Sequence, residues 1–162
     1  MPLDIDSLTE YLNDHLGGAA GATDLLRRRL DEGRGNDELA ELLAGIETHR
    51  THLEELMAEL GISHSVVRQT VGWVGERMAQ LKLKGEALRD DGVRDLLELE
   101  SLSIGVHGKQ RLWLALAEIR GTHPALEALD LEWLIASGEE QQATVERHRL
   151  AAVRRAFANA DG

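Results

Sequence analysis

Apolar residues recur at spacings of three and four along nearly the whole chain, the period of helices that bury one face. Ile5, Leu8, Leu12, Leu16, Ala19, Thr23, Leu26 and Leu30 trace one such stripe. They predict a first helix over residues 5–30, with Asp4 or Asp6 as its cap. Its middle, "GGAAGA" at residues 17–22, is poor helix material and suits a place where a neighbouring helix, or a ligand, must come close. The turn "DEGRGN" at 31–36 leads into a second helix over 37–60, ended by Gly61. A long connection follows from 62 to 91. Val66, Val67, Val71, Val74, Met78 and Leu81 lie near one face of it, and "KGEALRDDG" reads as loop. A third helix is expected over 93–120, apolar around most of its circumference and therefore central. "GTHP" at 121–124 breaks it, and a fourth helix spans 130–157, capped by Asp130 and striped by Leu131, Leu134, Val145, Ala152 and Ala156.

Two helices joined by a short turn, a long crossover and two more helices predict an all-α antiparallel four-helix bundle. The long crossover would carry an additional helix. With 162 residues, the chain can bury the core of one domain, taken as 1–162. Strand-like alternation is confined to "LKLK" at 81–84, and Pro2 and Pro124 are the only prolines. The formal net charge of -11 disfavours a nucleic-acid partner. The absence of cysteine removes disulfides, iron–sulfur clusters, thiolate zinc sites and a cysteine nucleophile together. The opening "MPLDIDSLTEYL" has neither the basic start nor the apolar run of a signal peptide, and no apolar run approaches the ~20 residues of a membrane span. The expectation is a cytoplasmic protein with no membrane partner.

"YLNDHLGGAAGATDLLRRRL" and "ETHRTHLEELMAELG" resemble the first and second helices of the ferritin-like superfamily. That resemblance implies the bundle topology described above. It also implies a di-iron centre with a Glu from each of two helices and Glu-x-x-His from each of the other two. Carried onto this chain, the first Glu falls at Ala19, and the first Glu-x-x-His becomes Glu47-x-x-Arg50. Glu100 matches the Glu of the third helix, with Glu98 on another face. The fourth helix offers Glu139-x-x-Gln142, or Glu146 two residues before His148, and neither has the spacing. The resemblance therefore implies a divergent member with a degenerate di-metal site, holding no metal and no cofactor. His15, about one turn early, and His49 remain as alternative ligands.

What would replace the metal is a buried polar cluster of Glu47, Arg50, Glu100, His107, Gln141, His148 and Arg149. A buried guanidinium needs acidic partners, so Arg50 is expected to pair with Glu47 or Glu100. His49 and His52 read as a solvated surface pair, and Glu100, Ser103, His107 and Gln110 as a polar row on an otherwise apolar helix. No phosphate loop and no Gly-x-Ser-x-Gly elbow occurs. The function expected is that of a non-catalytic helical protein working through self-association or a partner. A homodimer anchored near Trp73 is the expected assembly. The alternative is a metal- or small-ligand-binding protein of oxidoreductase type, with a rearranged site at the bundle centre.

Overall fold

The first two helices and the last two begin at a capping acceptor, and the first two end where the sequence offers glycine. The computed structural model describes residues 2–64, Glu76, Gln80 and 91–158. Helix α1 spans Ile5–Asp31, and the Asp4 carboxylate accepts from the Ser7 amide at 3.1 Å. Helix α2 spans Asp37–Glu59, with Asn36 accepting from the Leu39 amide at 3.0 Å. Helix α3 spans Asp91–Glu118. After a 3-10 turn at Arg120–Thr122, the short α4, Pro124–Glu127, starts with Nδ1 of His123 accepting from the Ala125 amide. Helix α5 spans Leu131–Phe157 and is capped by Asp130. Gly61 ends α2 at φ 69°: its amide bonds to the Ala58 carbonyl, and that of Ile62 to the Met57 carbonyl. This paired closure needs the left-handed conformation glycine adopts without strain.

Every regular element among the described residues is helical. No helix among them is long and apolar enough to cross a membrane. The four long helices share two apolar clusters. One gathers Leu12 and Leu16 of α1, Leu56 and Met57 of α2, Leu112 and Trp113 of α3, and Leu131 and Leu134 of α5. The other gathers Leu25 and Leu26, Leu39 and Ile46, Leu99 and Leu102, and Val145 and Ala152 from the same four helices. Contacts between helices run in order along their lengths. Arg155 of α5 meets Asp95 of α3, Gln142 meets Ser103, and Gln110 meets the carbonyl of Ile135. On α2 and α5, His148 meets Glu38 and Ser137 meets His49.

A charge network binds the end of α1 to the start of α3. Glu98 and Arg29 are only 2% and 3% exposed and lie 2.9 Å apart. Arg34, from the turn after α1, reaches the same carboxylate at 2.7 Å, with Arg94 and Arg28 at 3.4 and 3.7 Å. Asp95 adds a 2.6 Å pair to Arg29. Charges this deeply buried are tolerable only when paired in this way.

The structure departs from the sequence pattern at the edges of the α1 stripe. Ile5 is exposed and Leu30 only half-buried, while Leu25 and Arg29 are buried beside the expected Leu26. Helix α1 packs on both α2 and α3, so its buried face is wider than one stripe. The expected crossover helix, with Trp73, falls almost entirely outside the described residues.

Candidate functional site

Between the two apolar clusters the helices carry small residues on one side and polar ones on the other. On α1, Gly18, Ala19 and Ala22 face Gly105 and Gly108 of α3 across a cleft of about 180 Å³. A Cβ added at Gly18 or Gly108 would meet nothing within 4 Å, so the space is real room that longer side chains would fill. Ile46 and Leu53 of α2, with Val106 and Leu112 of α3, supply most of its apolar wall. Asp14, His15, Arg50, His49, Lys109 and Trp113 supply polar groups.

His49 is the best-fixed of these. It is 1% exposed, and its two ring nitrogens are both engaged. The indole Nε1–H of Trp113 donates to Nδ1 at 3.1 Å. Since an indole can only donate, Nδ1 carries the lone pair and Nε2 carries the hydrogen. Nε2 therefore donates to Ser137 Oγ at 2.8 Å, and Ser137 passes its own hydrogen to the Trp133 carbonyl at 2.8 Å. Burial, then the nearby Lys109 and His52, pushes the His49 pKa down to about 3, so the ring is neutral in ordinary buffers. The Trp113 and Trp133 rings flank it at centroid distances of 5.8 and 5.5 Å.

Lys109 stands next to this ring. Its Nζ lies 2.9 Å from His49 Nδ1 and also bonds to Gln141 Oε1. Among the described residues no carboxylate pairs with it. Burial pushes its pKa down to about 7. A lysine that loses its charge near neutrality can act as a base or a nucleophile, which an ordinary ammonium cannot.

The seven residues expected to form one buried cluster do not do so. His107 is exposed, and the other six are only partly covered. Arg50 does not pair with Glu47 or Glu100. It binds Glu54, one turn further along α2, at 2.8 Å. Glu47 is taken by Arg27, Glu100 lies 3.8 Å from Arg149, and Arg149 binds Glu146 at 2.7 Å. His148 pairs with Glu38 at 2.8 Å. Of the seven, Gln141 joins the polar seam beside the cleft and Arg50 lines the cleft itself. His49 and His52 are not a solvated pair, because α5 covers His49 through Ser137 and Trp133. His15, half-buried against the Tyr11 ring at 4.6 Å, also lines the cleft, and burial lowers its pKa.

Lys109, Trp113 and Ser137 did not stand out in the sequence. The signal for Lys109 was present: it falls three residues after Val106 and four before Trp113, on a helix expected to be apolar nearly all round. A lysine on that face must be desolvated.

The residues do not fit the di-metal centre that the ferritin-like resemblance implies. Ala19 stands in the cleft wall where a carboxylate would be needed. No three His, Cys, Asp or Glu side chains among the described residues come together so as to hold a metal ion. No family model matches the chain, and no curated protein or solved structure matches it.

Proposed function

We propose that the protein binds a small, largely apolar molecule in the cleft between α1, α2 and α3, with Lys109 and His49 as the polar groups that meet it. One observation carries this reading. The small residues of α1 and α3 leave an unfilled apolar space whose wall holds a partly buried lysine with only neutral partners. Mostly apolar concavities with a few convergent polar groups are the usual form of small-molecule sites. The reading includes an antiparallel bundle of ferritin-like connectivity, in which the ancestral metal position has become an organic-ligand site. In its support, the late turns of α5 meet the early turns of α3 and α2, and the last turns of α1 meet the early turns of α3.

Gly108→Leu tests the proposal. The new side chain enters open space, so the fold should survive while the cleft closes. Pentanamide serves as a neutral probe, and the Trp113 indole N–H resonance reports on the cleft wall. We expect that resonance to shift on titration of the parent protein and to stay still in Gly108→Leu. A parent protein whose Trp113 resonance does not move at millimolar pentanamide would refute the cleft as a ligand site.

A further inference from the structure

Lys109 meets neutral partners, and among the described residues no carboxylate pairs with it to favour its ammonium form. A neutral amine has two hydrogens and one lone pair. Two neutral acceptors face Nζ, namely Nδ1 of His49 at 2.9 Å and Oε1 of Gln141. In the amine form these two acceptors take both hydrogens and leave the lone pair unengaged. Nδ1 is shared, because the Trp113 indole donates to the same lone pair. This holds the His49 ring in the tautomer that accepts from Lys109. The residue lines a cleft of about 180 Å³ whose other walls are mainly apolar, with Asp14, His15 and Arg50 also on its lining.

From this geometry we infer that Lys109 is a carbonyl-capturing nucleophile, which forms a reversible imine with a small apolar aldehyde or ketone held in the cleft. The inference rests on the cleft reading above and adds the ligand class. The step balances without an oxidant or reductant. The Nζ lone pair attacks the carbonyl carbon, a C–N bond forms, and the C=O π pair moves to oxygen. One amine proton transfers to that oxygen to give a carbinolamine. Loss of the remaining N–H proton with the hydroxyl, as water, leaves the C=N bond. His49 is a positioning residue here: it directs an N–H and leaves the lone pair unengaged. Its pKa of about 3 keeps the ring from competing for the proton.

The chain offers internal references, since its only other lysines are Lys82 and Lys84. The test uses the full chain, limiting pentanal and cyanoborohydride at pH 7, followed by peptide mapping. Reduction turns any imine into a stable pentyl amine. Labelling at Lys109 should exceed that at Lys82 and Lys84 by about tenfold or more, because an ordinary lysine is almost wholly protonated there. Its pH profile should reach half-maximum near 7. Gly108→Leu should suppress labelling at Lys109 while leaving the other two unchanged. Lys109→Arg should show no selective adduct at position 109. Pentanamide binding without preferential labelling of Lys109 would overturn the imine and leave the cleft reading standing. Loss of both would overturn both.

Discussion

Arg50 and Glu54 lie one turn apart on α2 with side chains 29% and 34% exposed, and solvent reaches both. Pairs of this kind contribute little, about 0.3–0.5 kcal/mol within a helix. Arg50→Met should therefore change stability by less than about 1 kcal/mol, read from urea midpoints at pH 7. A loss of ~3 kcal/mol, the scale for breaking a buried pair, would show that the guanidinium is desolvated after all. Arg50 also shows why the site was only half legible in the sequence. From Ile46 to Leu53, a step of three then four passes through His49, and a step of four then three passes through Arg50. Both are helical spacings, so periodicity cannot choose between them. Partners on other helices choose: Trp113 of α3 and Ser137 of α5 stand opposite position 49, and the guanidinium turns along its own helix to Glu54.

Element boundaries were more legible than side-chain roles. The observed limits of α1, α2 and α5 follow the caps Asp4, Asn36 and Asp130 and the glycines at 33 and 61, which act locally and need no knowledge of the fold. Long-range pairing has no such local mark. Arg29 sits in a run of three arginines that reads as a solvated helix end, yet it is buried against Glu98 of α3, 69 residues away. How α1 is anchored to α3 can be tested at this pair. Arg29→Met should destabilise the protein by about 3 kcal/mol, because it removes the buried counter-charge of a carboxylate that is 2% exposed. Arg34 and Arg94 still reach that carboxylate, so the loss should stay at the lower end of the range for broken buried pairs. Arg29→Met,Glu98→Met should recover much of it, since two apolar side chains remove both desolvation costs. A double variant no more stable than Arg29→Met would show that the network contributes through something other than charge pairing.

At the scale of the whole molecule, a polar seam interrupts a core that could have been apolar from end to end. Burial disfavours the charged form of both its titratable members. His49 has an ordinary pKa of 6.5 and a folded value of about 3. Below pH 6.5 the unfolded chain takes up a proton that the folded one refuses, so stability falls as the pH drops from there towards 3. Lys109 has an ordinary value of 10.5 and a folded value of about 7. Between those values the unfolded chain keeps a proton that the folded one has shed, so stability rises with pH across that window. Each window corresponds to a few kcal/mol, on the order of 1.4 kcal/mol per pH unit before relaxation and water entry reduce it. Urea midpoints taken from pH 4 to 10 should thus climb twice in the parent protein. His49→Gln should flatten the lower climb, although Asp95, whose arginine partners outweigh its burial and hold its pKa low, still weakens the fold as it protonates at the acid end. Lys109→Met should flatten the upper climb and leave the protein more stable than the parent at pH 7, because no buried amine then needs charging or discharging. That gain should come with loss of aldehyde capture, so that stability and chemistry trade against each other at one side chain. A Lys109→Met protein that keeps the parent's rise from pH 7 to 10 would place the titrating group elsewhere and would leave Lys109 an ordinary ammonium.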